Sequence, residues 1–270
     1  NCAFFTHNIV HITPTLDLTL GLRYTHEEQT VRADFNKTNT VCPAQQAFFA
    51  PFLTGGAAAL PASLQSLAAG VVNLTCQGNS SSALNALKLS DKRKEGEFTG
   101  TAVLSWKPTT GVLTYASYSR GYKAGGTNPP GINADPQYLE FYPQPTTYKP
   151  EYVNAFEVGL KNTFDHGRLT LNGSAFFYDY KGYQISKIVD RTALNENFNA
   201  QTWGAELEAT WRPVRNLQFN ANVGYLGTRL GKGSSSIDVM NRTQGNPDWT
   251  LVRPWVQLTS SCIAPTSIVK

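Results

Sequence analysis

From Leu16 to Thr25 apolar and polar residues alternate without a break. Leu16, Leu18, Leu20, Leu22 and Tyr24 fall on one side, and Asp17, Thr19, Gly21, Arg23 and Thr25 on the other. A period of two means an extended strand with two unlike faces, because successive side chains point to opposite sides. The pattern recurs down the chain. Phe156, Val158 and Leu160 oppose Glu157, Gly159 and Lys161; Trp203, Ala205, Leu207, Ala209 and Trp211 oppose Gly204, Glu206, Glu208 and Thr210. Leu217, Phe219, Ala221, Val223 and Tyr225 oppose Gln218, Asn220, Asn222 and Gly224. Weaker versions run through Phe98–Lys107 and Leu169–Phe177, while Ala3–Ile12 and Val112–Tyr122 blur. The reading is an antiparallel sheet of about eight or nine strands.

The connections between these stretches alternate in length. Short turns fall at 13–15, 108–110, 165–167 and 212–215; long polar segments fall at 29–95, 123–150, 189–200 and 227–247. Alternating short and long connections describe an up-and-down meander with all its short turns at one end. A charged face opposite an apolar one is what a transmembrane β-barrel strand needs, with lipid outside and a polar lumen inside. The fold class is therefore all-β, an antiparallel up-and-down transmembrane β-barrel. The two tryptophans Trp203 and Trp211 bracket nine residues, close to the roughly 9–11 that cross a bilayer as a tilted strand.

Bulk properties fit without deciding. The 270 residues are 41% hydrophobic with a net charge of +4, too slight a surplus to argue for nucleic acid. No apolar run approaches the roughly 20 residues of a membrane helix. A mean hydropathy of −0.29 is no argument against a membrane barrel, whose alternation hides the lipid face in the average. Enzyme signatures are missing: there is no G-x-S-x-G elbow, no P-loop and no G-x-G-x-x-G after a strand. Nothing in the chain asks for a cofactor or a metal. His7 and His11 would lie about 13 Å apart on a strand, and His26-Glu27-Glu28 reads as the solvated top of a strand. Glu206 and Glu208 share the polar face, so they read as lumen charge rather than as a glycosidase pair.

Several stretches resemble one family. Tyr118-Ser-Arg-Gly-Tyr-Lys-Ala-Gly-Gly126, followed after a loop by Pro150-Glu151 and by Phe156-Glu-Val-Gly-Leu-Lys161, resembles the late barrel of TonB-dependent outer-membrane receptors. The resemblance extends to LDLTLGLRYTHEE at 16–28, RLTLNGSAFFYDYKGYQIS at 168–186 and WGAELEATWRP at 203–213, and covers roughly Ala3 to Thr250. It implies a partial barrel without the family's plug domain, since the family closes with about 22 strands. By the same resemblance the chain belongs in the cell outer membrane of a Gram-negative bacterium. It would take up a scarce solute of the iron–siderophore, cobalamin or oligosaccharide class. Energy would come from the TonB complex through the absent plug. Two other classes stand beside this reading: a passive porin-like barrel, and a secreted all-β carbohydrate-active domain using Glu206 and Glu208.

The candidate site residues follow from position. Arg23, Glu157, Lys161, Glu206, Glu208 and Asn220 are expected on the lumen side; Leu18, Leu20, Leu22, Leu104, Phe156, Val158, Leu207, Phe219 and Val223 on the lipid side. The loop at 123–150 carries six prolines and the aromatics Tyr138, Phe141, Tyr142 and Tyr148. These rings either stack on a ligand or pack on neighbouring loops. The insertion at 29–95 is nearly uncharged in its middle; short helical turns are expected near Ala62–Ala69, and in an oxidising compartment a Cys42–Cys76 disulfide would restrain it. Neither loop offers an arginine cluster, which favours a neutral or aromatic ligand over a highly anionic one. Residues 1–251 read as barrel. Residues 252–270 diverge, with Arg253-Pro254 and Cys262-Ile-Ala-Pro265 poor strand material, and read as a truncation or frameshift. Without a leader or plug, the chain itself reads as partial.

Overall fold

The computed structural model describes residues 1–36, 38–53, 60–61, 64, 68, 71–72, 75, 85–128, 132–135, 140–143, 147–189, 192–231, 235–237, 249–252 and 266–269. In chain order the elements are β1 (Cys2–Thr13), β2 (Leu16–Asp34), α1 (Val41–Leu53), β3 (Lys88–Thr109), β4 (Val112–Lys123), β5 (Gly126–Thr127), β6 (Ile132–Asp135), β7 (Glu140–Pro143) and β8 (Thr147–Tyr148). They continue with β9 (Glu151–Phe164), β10 (Leu169–Val189), β11 (Thr192–Val214), β12 (Leu217–Leu230), β13 (Ser235–Ile237), β14 (Trp249–Val252) and β15 (Thr266–Val269).

Eight of these strands form one antiparallel sheet in the order β1-β2-β3-β4-β9-β10-β11-β12. Every neighbour in the large sheet is also the next long strand in sequence, so the sheet is a pure meander. It does not close, and β1 and β12 are its edges. The short connections 14–15, 110–111 and 215–216 sit at one end with the turn Asp165–Gly167. In that turn Asp165, His166 and Gly167 all have positive φ, +51°, +54° and +91°, which lets the chain reverse within a few residues.

Register settles which residues share a face. Leu104 pairs with both Leu18 and Ala116, Ala116 with Val158, Val158 with Ala175, Ala175 with Ala205, and Ala205 with Tyr225. One continuous apolar row thus crosses seven strands, and the nine residues expected on the apolar side share its face. The six polar residues expected opposite share the other. Along β4 the apolar-face residues Ala116 and Tyr118 are exposed while Tyr115, Ser117 and Ser119 are half-buried. That difference identifies the polar face as the concave one. Among the described residues no layer packs on the apolar face: Phe156 is 48% exposed, Val158 56%, Leu207 46% and Val223 68%. An apolar surface of this extent on a folded sheet calls for a covering that the described residues do not supply.

Three stretches read as loop are strand. β2 and β3 stay paired out to Asp34↔Lys88. β10 runs to Val189 and β11 restarts at Thr192, where sequence had placed a loop over 189–200. Polar composition hid both extensions. On β11 the run Asn195-Glu196-Asn197-Phe198-Asn199 still alternates, with Leu194 fully buried and Phe198 8% exposed, and the ladder satisfies its main chain whatever the side chains. A bulge between Tyr180 and Tyr183 contains Gly182 at φ +66°, the extra residue a bulged strand needs. The 123–150 loop is not irregular throughout: β5 pairs with β8, and β6 with β7.

The insertion after β2 holds a helix that sequence missed, at Val41–Leu53. Asn39 Oδ1 accepts hydrogen bonds from the Val41 and Cys42 amides at 2.9 and 3.1 Å, an N-cap by its side-chain oxygen. Most of the Ala62–Ala69 segment lies outside the described residues. Cys42 is buried with Val72 against Phe49 and is disulfide-bonded; Cys76 lies outside the described residues. Cys2 is a free thiol. In the segment read as divergent, Thr266–Val269 is a strand between Ser235–Ile237 and Trp249–Val252, and 253–265, with Cys262, lies outside the described residues.

Candidate functional site

At the end of the sheet away from the short turns, β3 carries four charged residues on one face: Asp91, Arg93, Glu95 and Glu97. Each engages the stems of the β4–β9 connection. Asp91 accepts from the Thr127 hydroxyl at 2.7 Å. Arg93 Nη1 donates to the carbonyls of Gly126 (2.9 Å) and Tyr148 (2.8 Å), and its Nη2 donates to Glu95 at 3.0 Å. Glu95 accepts from the Tyr122 hydroxyl and, at 3.3 Å, from the Gly125 amide; Glu97 accepts from the Tyr152 hydroxyl at 2.7 Å.

The opposite flank is stitched by amides from the β10–β11 hairpin. Gln184 Nε2 donates to the carbonyls of Ala124 and Lys149 at 2.8 and 3.2 Å. Asn197 accepts from the Lys149 amide at 2.7 Å and donates back to its carbonyl at 2.8 Å. Asn128, only 1% exposed, pairs with Asn195. The intervening β4–β9 segment is therefore held at its neck from both sides. Hydrogen bonds to charged groups contribute about 1.5–3 kcal/mol each, against about 0–1 for exposed ion pairs. So the half-buried Arg93 matters more to this neck than the outward pairs of Glu28 with Lys92 and Lys94 at 2.5 and 3.3 Å.

A similar neck closes the β2–β3 insertion. Asn85 accepts from the Asn39 amide at 2.7 Å and donates to its carbonyl at 3.1 Å. The β2–β3, β4–β9 and β10–β11 connections leave the sheet at this same end.

On the concave face Glu157 accepts from the Tyr115 hydroxyl at 2.5 Å. Tyr115 lies over Gly159, where a Cβ would meet its ring at 2.5 Å. Glu206 and Glu208 follow on the same face, opposite Ser174 and Asn172. Arg23 Nε donates to Thr25 at 3.1 Å, and Asn220 accepts from Thr210 and Gln218 at 3.1 and 2.9 Å. Lys161 lines, with Thr15, Lys107 and Leu113, an open depression of about 540 Å³ at the short-turn end. These six residues thus share a face but do not converge on one another. Among the loop aromatics, Tyr148 belongs to β8, Phe141 and Tyr142 to β7, and Tyr138 lies outside the described residues.

A family model described as TonB dependent receptor-like, beta-barrel matches residues 1–259. The chain belongs to this family. Among solved structures it is similar to the ferric yersiniabactin uptake receptor FyuA from Yersinia pestis, with 15% identity and a TM-score of 0.55 over 85% of this chain and 27% of that one. It is also similar to the siderophore receptor PiuA from Acinetobacter baumannii, with 17% identity and a TM-score of 0.51 over 87% of this chain and 26% of that one. For the copper transporter OprC the identity is 13% and the TM-score 0.50, over 84% and 28%. At these identities the likeness is one of fold. The chain spans about a quarter of the length of each, which matches the open sheet of this TonB-dependent receptor barrel.

Sequence reasoning missed Asp91, Arg93, Glu95, Glu97, Gln184, Asn128, Asn195 and Asn197. The available signal was alternation within DKRKEGE at 91–97, which sets Lys92 and Lys94 on one face and the neck-binding residues on the other.

Proposed function

We propose that this receptor barrel sits in the outer membrane of a Gram-negative bacterium and takes up a scarce solute of the iron–siderophore, cobalamin or oligosaccharide class. The observation that carries the membrane reading is the unpacked apolar face bounded by aromatic residues. Trp203 and Trp211 are eight residues apart on β11, about 26 Å along the strand, close to the roughly 25 Å apolar band of an outer-membrane barrel. The concave face, with Arg23, Glu157, Lys161, Glu206, Glu208 and Asn220, then lines the lumen. In the intact protein a plug domain fills that lumen and conveys energy from the TonB complex.

The two necked connections then face the exterior. The stitched stems, Tyr148 among them, carry the loop with Tyr138, Phe141 and Tyr142, and the 29–95 insertion, which a Cys42–Cys76 disulfide would tighten, leaves the sheet at the same end. A stem ordered in advance lowers the entropy lost on capture. The neighbours FyuA, a ferric yersiniabactin uptake receptor, and PiuA, a siderophore receptor, support the iron–siderophore class first.

The test is uptake of radiolabelled ferric siderophores by cells expressing the full-length receptor, with and without an uncoupler of the proton gradient. Saturable uptake abolished by the uncoupler is expected. Uptake that rises linearly with concentration and ignores the uncoupler would make the protein a passive pore.

A further inference from the structure

The short-turn end of the sheet carries a surplus of cations. Within four residues of the turns lie Lys107, Lys161, Arg168, Arg212 and Arg215, against Asp17 and Asp165. Part of this charge is engaged. Arg168 lies 3.8 Å from Asp165, and Arg212 Nε donates to Gln218 at 2.7 Å. Lys161 and Arg215 are exposed, and among the described residues neither has a carboxylate within ion-pair distance.

Lys107 and Lys161 both line the open depression of about 540 Å³ on the concave side of this end. Interlocked turns fix its shape: the Lys107 amide donates to the Thr15 carbonyl and the Thr163 amide to the Gly111 carbonyl, both at 2.7 Å. Leu113, paired with Lys161, sets apolar surface beside the ammonium. Lys107 Nζ already holds one carboxylate, Asp17 at 3.3 Å, which His11 Nδ1 also engages at 2.6 Å. A lysine ammonium donates to a carboxylate from many directions, whereas bidentate phosphate recognition favours an arginine fork, and no arginine lines this depression.

We propose that the depression docks an acidic peptide segment of a partner protein, with Lys161 and Lys107 as the carboxylate ligands. β3 and β9 flank β4, so the two lysines stand about 10 Å apart. Glutamates two residues apart on an extended segment are separated by about 7 Å, a difference the lysine stems cover. Asp17 is then a built-in competitor for Lys107. Glu208 shares the Lys161 rung two strands away, and Glu206 and Glu157 lie further in on the same face. Their like charge keeps an acidic segment at the rim and opposes its threading inward. The membrane reading given above decides only which compartment supplies the partner: the short turns lie opposite the necked connections and so face the periplasm.

The test titrates full-length receptor in detergent with a fluorescein-labelled peptide of alternating Glu and Ala, read by fluorescence anisotropy, with the Gln–Ala peptide as control. Affinity should fall roughly threefold in Lys161→Gln and in Lys107→Gln, and about tenfold in the double variant. Asp17→Asn, which releases Lys107, should tighten binding roughly threefold. Inorganic phosphate at matched concentration should not compete. Heat-modifiable migration on gels reports that each variant is still a folded barrel. Wild-type receptor that binds the Glu peptide no better than the Gln peptide overturns the proposal, as does unchanged affinity in the folded double variant or equal competition by phosphate. Sidedness is read separately: the Glu peptide should bind opened outer-membrane vesicles and not intact cells. Binding to intact cells that the double variant loses keeps the depression as the site and overturns the periplasmic placement of the turns instead.

Discussion

Asn128 and Asn195 hold each other by three hydrogen bonds. Asn128 Oδ1 accepts from the Asn195 main-chain amide at 2.7 Å and from its Nδ2 at 3.1 Å, while Asn128 Nδ2 donates to the Asn195 carbonyl at 3.0 Å. A side-chain amide thereby imitates one rung of a β-ladder and joins the β4–β9 neck to the β10–β11 hairpin. Asn128→Ala would leave both main-chain groups of Asn195 without this partner, a cost of about 1–3 kcal/mol. Limited chymotrypsin digestion of the full-length receptor should cut the 129–146 segment several-fold faster in the variant; an unchanged rate would show the neck holds without this pair.

The contact between Tyr115 and Gly159 leaves no room for a methyl group. Gly159→Ala should displace Tyr115 from the Glu157 carboxylate and cost about 1–3 kcal/mol, read as a lower urea midpoint for refolding into liposomes. Gly173→Ala is the control, since its nearest neighbours lie at 3.6 Å, and should change the midpoint far less.

Leu207 and Ser174 lie on adjacent strands and opposite faces. Leu207→Arg should cost about 2–4 kcal/mol near the bilayer midplane, and Ser174→Arg on the lumen side much less. Equal costs in a refolding titration would end the assignment of the apolar face to lipid.

Glu28 lies opposite Lys94 on the outer part of the β2–β3 hairpin. Hydrogen bonds from Lys92 and then Lys94 hold its pKa below the usual 4.5. A depressed carboxylate stabilises the fold fully above its ordinary pKa and loses that contribution as pH falls through its lower, folded value. Hydrogen exchange along 88–94, corrected for the intrinsic rate, should show the hairpin loosening below about pH 4. Glu28→Gln should remove that pH dependence.

Changing Tyr138, Tyr142 and Tyr148 together to Ala should reduce ligand uptake by the full-length receptor, with the barrel still inserted. Normal uptake would take this loop out of the capture surface.

Alternation in the sequence, with the short and long connections, was enough to determine the meander and the faces of the clearly patterned strands, whereas the faces of Ala3–Ile12 and Val112–Tyr122 came only from their register. Slipping Leu16–Thr25 or Trp203–Trp211 by one residue would exchange an apolar face for a charged one, a penalty large enough to fix the faces locally. The motifs at 118–126 and 156–161 likewise sufficed for the family. The tertiary structure alone decided where the strands stop and what holds the loop necks. In 88–97 and 192–200 polar composition resembles loop, and strand formation there depends on main-chain ladders to partners far along the chain. The capped helix at 41–53 escaped for a similar reason: its signal is one Asn39 oxygen, visible only once the backbone curls to meet it. Asp91, Arg93 and Glu95 bind main chain or hydroxyls some 27–55 residues away. No local pattern encodes those contacts, because they exist only after the meander has brought β3 alongside the β4–β9 neck.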